Sequence, residues 1–301
     1  MKIAVLLSSY NGEKYIETQI DSILAQQCRL PFDLWVRDDG SSDRTCQILQ
    51  RYADEGKLQW YTGKNLRSAK SFMNLIRHCP EYDFYAFADQ DDYWLPEKLD
   101  RGIAALADMQ CPGLYFANAR LVDSDLKDLG RDVYKVNPYR DYYTLMCAGG
   151  LLGCTMVFNR ALAQLLTEAE LPKELIMHDF YAAAVCDLFD GQICYDPGAY
   201  MLYRQHGNNV VGVARTKLDA LRNRICAITS KSTVSVSQQA QSILQCYPEI
   251  PDTNKKKWLV RVAGYQQSFG SALSLALSSK THYCNWNKAL TIRLSLLMRN
   301  R

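Results

Sequence analysis

Phe87-Ala88-Asp89-Gln90-Asp91-Asp92-Tyr93-Trp94 decides how this chain is read. The run before it, Tyr82-Asp83-Phe84-Tyr85-Ala86-Phe87, is apolar and aromatic and predicts a buried strand. The strand gives way to three carboxylates within four positions. Like charges at that density repel one another unless a cation or solvent separates them. Carboxylate oxygens are the preferred ligands of hard divalent ions such as Mg²⁺ and Mn²⁺. Asp89 and Asp91, two positions apart beyond a strand end, can point the same way. In open α/β sheets, ligands bind outside the carboxyl ends of the strands. The plainer reading is an acidic turn into a helix that starts at Pro96-Glu97-Lys98.

Upstream, strand-like and helix-like patterns alternate. Ile3 to Leu7 predicts a strand, then Ile16, Ile20, Ile23 and Leu24 recur at helical spacing. Phe32 to Val36 predicts a second strand, and Ser42 is a candidate N-cap for the helix carrying Cys46, Ile48, Leu49 and Tyr52. A short strand at Leu58 to Tyr61, a helix at Ser68 to Cys79, the helix after Pro96 and a strand at Leu114 to Ala117 follow. Such alternation implies βαβ units and a mostly parallel, Rossmann-like α/β sheet flanked by helices. From about 120 to 210 the pattern loosens, with helices near 160–169 and 178–189. Beyond 215 the chain reads as helical, broken between Pro248 and Pro251. The division expected is 1–212, with halves near 1–120 and 121–212, followed by a helical region at 213–301.

The 301 residues suffice for one large domain or two smaller ones. Eleven scattered cysteines without a C-x-x-C pair argue against a zinc site or disulfide framework, and for reduced thiols in a cytosol. Tyr142 to Asn159 is uncharged over 18 positions, near the lower limit for a membrane span. Gly149, Gly150, Gly153 and several polar residues make it a loop feeding the strand Cys154-Thr155-Met156-Val157-Phe158 instead. The net charge of +3 conceals an asymmetry: residues 215–301 carry 14 Lys and Arg against three acids. A basic segment seeks anionic partners.

Chemistry-bearing residues follow the predicted strands. Ser9-Tyr10-Asn11-Gly12-Glu13 ends the first, and Tyr10 offers a ring face for a nucleobase. Asp38-Asp39-Gly40-Ser41 ends the second, where Asp39 can accept a base imide N–H; a turn with a helix cap is the bland reading. No G-x-G-x-x-G follows the first strand, so a dinucleotide fingerprint is absent.

The set Ser8-Ser9-Tyr10-Asn11-Gly12, Val36-Arg37-Asp38-Asp39-Gly40-Ser41-Ser42-Asp43 and Phe87-Ala88-Asp89-Gln90-Asp91-Asp92 resembles the family 2 inverting glycosyltransferases of GT-A fold. Ala88 to Trp94 and the later Tyr203-Arg204-Gln205-His206-Gly207-Asn208-Asn209 are similar to its bacterial rhamnosyltransferase-like members. The resemblance implies transfer of one sugar, dTDP-L-rhamnose being the donor of the narrower group. The acceptor would be a saccharide carried on a lipid diphosphate. It further implies that Ser9, Tyr10, Asn11, Glu13, Asp39 and Asp89 surround the nucleotide. Asp91 would ligate Mn²⁺ or Mg²⁺, with His206 as a second ligand or donor, and Arg204 would contact the diphosphate or donor sugar. Asp179 would be the general base, preceded here by His178 where the family usually has an acid. The Q-x-x-R-W element of processive synthases is missing.

A sugar-phosphate nucleotidyltransferase is the competing class, but it needs a Gly-rich basic loop after the first strand, which Ser9 to Glu13 lack. A UDP-hexose donor, a glycosidase with two carboxylates and a non-catalytic nucleotide-binding module are further alternatives. In the basic region, Trp286, Leu290, Leu294 and Leu297 share one helical face. The expectation is peripheral attachment to an anionic inner leaflet, or else packing on the core or pairing of two copies. Nucleic acid is not expected, because no recognised motif accompanies the charge.

Overall fold

A computed structural model describes residues 1–206, 233–283 and 286–300. The strand after Lys2 forms as read: β1 (Ile3–Ser9) lies within the sheet between two parallel neighbours, and Ile3 to Leu7 are fully buried. β2 (Phe32–Asp38) pairs parallel on one side of it, and β3 (Gln59–Thr62) pairs parallel beyond β2. β4 (Phe84–Ala88) pairs parallel on the other side of β1. The chain therefore reverses its direction of travel across the sheet between β1 and β4. A crevice opens at such a switch point, outside the carboxyl ends of the two strands. Register places Ser9 opposite Asp38, and Leu7 opposite Ala88, so the three signature loops leave one edge together.

Past β4 the sheet is mixed. β8 (Val157–Asn159) runs antiparallel to both β4 and β6 (Gly113–Val122), and β9 (Gln192–Arg204) runs parallel to β6. β5 (Tyr93–Trp94) closes the row against β9, and β7 (Asp128–Asp132) hangs on β6. Strand alternation splits the core between the faces. Ile3, Val5 and Leu7 meet α1 (Ile16–Leu24), α2 (Thr45–Asp54) and α4 (Lys98–Leu106). Ala4 and Leu6 face α3 (Arg67–His78), α5 (Tyr142–Ala148), α6 (Arg160–Glu168) and α7 (His178–Leu188).

The C-terminal region is helical as read: α8 (Val236–Cys246), α9 (Asn254–Gly264), α10 (Phe269–Ala276) and α11 (Trp286–Leu297). Ala240, Ile243, Trp258, Leu259, Leu275 and Leu296 join the same core as α5 and α7. The boundary expected at 212 lies outside the described residues.

Several expectations are corrected. The uncharged stretch is not one loop: Asp141 caps α5 by accepting the Thr144 N–H at 2.7 Å, and its helix buries Leu145 and Met146. The strand after it shrinks to Val157–Asn159 because Gly153–Thr155 form a 3-10 turn. Ser42 does not cap α2, whose N-cap position is Arg44; Asp43 accepts the Thr45 N–H (3.0 Å) just ahead of the helix, while the Ser42 N–H donates to Asn11. In α11 the buried stripe is Ile292, Ser295 and Leu296, and Trp286, Leu290 and Leu294 face solvent. Among the described residues, no helix is long and apolar enough to cross a membrane. Nine described cysteines are free thiols.

Candidate active site

Each signature loop leaves a strand of the central sheet and is fastened to the next. Tyr10 projects into solvent, 48% exposed. The Gln90 side chain holds that residue's backbone from the neighbouring loop: Oε1 accepts the Tyr10 N–H at 2.8 Å, and Nε2 donates to the Tyr10 carbonyl at 3.0 Å. Gly12 is required beneath this clamp, because a Cβ there would lie 2.2 Å from Gln90 Oε1. Asn11 adopts a left-handed backbone (φ 47°) and accepts the Ser42 N–H at 2.9 Å. Glu13 accepts from the Arg44 N–H at 3.0 Å. Ser9 is buried and donates to Asp38. Ser9, Asn11 and Glu13 thus join loop to loop, and Tyr10 is the residue of that segment left open to a ring-shaped ligand.

Asp38 and Asp39 divide their work. Asp38 accepts from Gly40 N–H, Ser41 N–H and Thr62 Oγ1, at 3.0, 2.8 and 3.0 Å. Burial raises its pKa, and the hydrogen bonds led by Ser41 more than offset this, holding it below the usual range. Asp39 is buried against the Arg37 guanidinium and accepts the Leu66 N–H at 2.7 Å, both contacts falling on Oδ1. Arg37 is itself held by Ser71, Asn74 and the Lys64 carbonyl.

Beyond β4 the three acids take three positions. Asp89 is pushed up to about 7 by burial, then by the charges of Asp91 and Asp179. Asp91 Oδ2 lies 2.7 Å from His206 Nε2, whose ring packs on Tyr15 with centroids 5.0 Å apart. Asp92 is fully buried, accepts the Arg204 N–H at 3.1 Å and lies against the Cys154 thiol. Arg204 is buried as well. Its Nε donates to the Asp91 carbonyl at 2.7 Å, and its guanidinium stacks on Tyr15 at 4.5 Å. The end of β9 therefore braces the acidic turn.

Asp179 reaches the site from the first turn of α7. Its Oδ2 accepts the Gly153 N–H at 3.1 Å, and burial pushes its pKa up to about 6. His178 turns the other way. It stacks on Phe72 at 3.9 Å, meets Phe87 edge-on at 4.7 Å, and burial lowers its pKa to about 3, so it stays neutral.

Asp91 lies beside Asp89 and against His206, and the repulsion that raises Asp89 is what a hard divalent cation would relieve. Among the described residues, the one group of three whose ligand atoms lie within 4.8 Å of one another is Asp89, Asp92 and Cys154. Burial, then Asp92 and Asp89, push the Cys154 thiol well up, and a protonated thiol is a poor ligand for such an ion.

The sequence reading brought Asp89, Asp91, Asp179, His206 and Arg204 to one place. It missed Gln90, Asp92, Cys154 and Lys98, whose Nζ lies buried 3.6 Å above the Trp94 ring. Only Gln90 carried a signal, as the residue between two ligand-type acids.

This sheet, with its acidic turn at the switch point, has the GT-A fold. Residues 4–144, just under half of the chain, match the model of Glycosyl transferase family 2. The chain is 27% identical over 241 residues to dTDP-rhamnosyl transferase RfbG of Shigella flexneri, covering 75% of this chain and 80% of that one. It is also 27% identical to UDP-Glc:alpha-D-GlcNAc-diphosphoundecaprenol beta-1,3-glucosyltransferase WfgD of Escherichia coli, over 53% of this chain and 61% of that one. The structure of S. aureus TarS 1-349 in complex with UDP-GlcNAc superposes with a TM-score of 0.55 at 21% identity, covering 92% of this chain and 81% of that one.

Proposed function

We propose that the chain transfers a single sugar from a nucleotide donor to a saccharide hydroxyl with inversion, using Asp179 as the base. The observation that carries this is the placing of Asp179, held by the Gly153 N–H at 3.1 Å, close enough to Asp89 for its charge to act there. Tyr10 and Asp39 flank the β1–β2 edge of the crevice and are assigned to the nucleobase; Asp89 is assigned to the ribose. Asp91 and His206, with Asp89, would hold a divalent cation, which as a Lewis acid offsets charge growing on the departing diphosphate. Arg204 fixes the turn that presents Asp91. Asp179, its carboxylate partly dry and tuned to about 6, takes the acceptor proton on the opposite side of the sugar. One displacement with one base inverts the anomeric carbon.

Likeness to a dTDP-rhamnosyl transferase supports dTDP-L-rhamnose as donor. Likeness to a transferase acting on a diphosphoundecaprenol-linked sugar supports a lipid-diphosphate acceptor, with residues 213–301 attaching the protein to an anionic leaflet from the cytoplasmic side. Competition among dTDP-L-rhamnose, UDP-hexoses and GDP-hexoses in Mn²⁺ tests the donor: preference for a UDP-hexose overturns rhamnose and leaves the mechanism standing. Asp91→Ala tests the cation reading. It should abolish turnover and metal-dependent nucleotide affinity; wild-type activity in Mn²⁺ would refute it.

A further inference from the structure

Among the described residues, seven of the thirteen exposed large apolar side chains lie between Phe269 and Met298. α10 contains no charged residue, and its inner face, Ala272, Leu275 and Ala276, is buried. Phe269, Leu273 and Leu277, four residues apart and so on one side of the helix, are 61, 37 and 67% exposed. α11 repeats the pattern. It buries Ile292 and Leu296, and it exposes Trp286, Leu290 and Leu294 at 75, 40 and 38%. The two helices pack on each other, so both stripes belong to one helical pair. A helix that is apolar on both faces has an outer face suited to a second apolar phase.

The charge around these stripes identifies that phase. Residues 269–301 contain five Lys and Arg and no Asp or Glu. A two-fold interface between copies would set this acid-free surface against itself, and like charges there oppose association. An anionic bilayer satisfies both features at once. Trp, Phe and Leu enter the headgroup–acyl boundary while Lys and Arg meet lipid phosphates. We infer that α10 and α11 are an insertion element that seats the transferase on an anionic bilayer, with Trp286 and Leu290 entering the lipid. This deepens the membrane attachment proposed above and rests on it, but demands apolar penetration where charge alone would give attraction.

The test uses the full chain with vesicles of phosphatidylcholine, alone or mixed with phosphatidylglycerol. Wild type should sediment with the mixed vesicles, retain part of that binding at high salt, and show Trp emission quenched by brominated acyl chains. Trp286→Ser/Leu290→Ser should lose about tenfold or more of the partition coefficient and the quenching, with its thermal unfolding and donor hydrolysis in solution unchanged. Lys280→Gln/Lys288→Gln should weaken binding at low salt only. Wild-type binding by the Trp286→Ser/Leu290→Ser variant would overturn insertion and leave electrostatic attachment intact. No binding of wild type to either vesicle would overturn both. Concentration-dependent dimers that the same double variant abolishes, in a protein that ignores vesicles, would assign the face to a second copy and overturn the inference.

Discussion

Asp179 and His178 are neighbours with opposite fates, and each carries a pH signature. Asp179 must be ionised to accept a proton, so with its pKa pushed up to about 6 the transfer rate should fall as pH drops through that value and level off above it. His178 acts on stability. Its folded pKa of about 3 lies below the unfolded value of about 6.5, so the unfolded chain binds more protons between them and stability falls as pH falls through that window. His178→Phe keeps the ring stacked on Phe72 and removes that term. Its Tm should vary less than wild type's from neutral pH toward pH 4; parallel profiles would mean His178 is hydrated or paired. Gln90 offers a third test at this scale. Gln90→Ala frees the Tyr10 backbone and should raise the donor KM about tenfold, since one lost pair of hydrogen bonds is worth roughly 1–2 kcal/mol, with Tm little changed. An unaltered KM would show that the clamp does not position the nucleotide site. None of these three roles could be read from residue type alone. Asp179 was reached through resemblance, His178 looked like part of the same motif, and a glutamine between acids gives no hint of its partner 80 positions away.

Elements here are placed by close approaches that small residues permit. α4 lies on β8 through Gly102, where a Cβ would sit 2.4 Å from Val157 Cγ2 and 2.7 Å from its Cβ. Gly102→Ala gains helix propensity but overpacks the sheet, so it should cost about 1–3 kcal/mol in denaturant unfolding. A stabilised variant would mean that α4 is free to move outward. Helices with one apolar stripe were legible from period, as were β1 and β4 from their apolar runs and β2 from a run broken only by Asp33. β9 was not: Asp196-Pro197-Gly198 within it reads as a turn, and its edge residues are only half buried. α11 misled for a physical reason. It has apolar residues on both sides, and periodicity cannot tell which stripe the core will take.

At the scale of the whole molecule, the N-terminal half was legible because βαβ repetition and strand-end acids agree on one crevice. The C-terminal third was legible as helical and basic, but its attachment was not, because packing against α5 and α7 is set by shape rather than sequence period. Since Trp258, Leu259 and Val262 belong to the core shared with α7, the full chain should unfold in a single transition, and truncation after Gln245 should abolish cooperative unfolding. A truncated protein with an intact, cooperative melt would make 246–301 an independent appendage. The central claim is that Asp179 takes the acceptor proton at a nucleotide-sugar site built by Asp89 and Asp91. It is tested most directly by measuring kcat and nucleotide affinity together for wild type and Asp179→Asn across pH 5 to 8, using the preferred donor. The account predicts a kcat lowered by about 10²–10⁴, loss of the wild-type decline near pH 6, and nucleotide binding within a few-fold of wild type. Near-wild-type kcat, or a collapse of nucleotide binding with kcat otherwise intact, would contradict it.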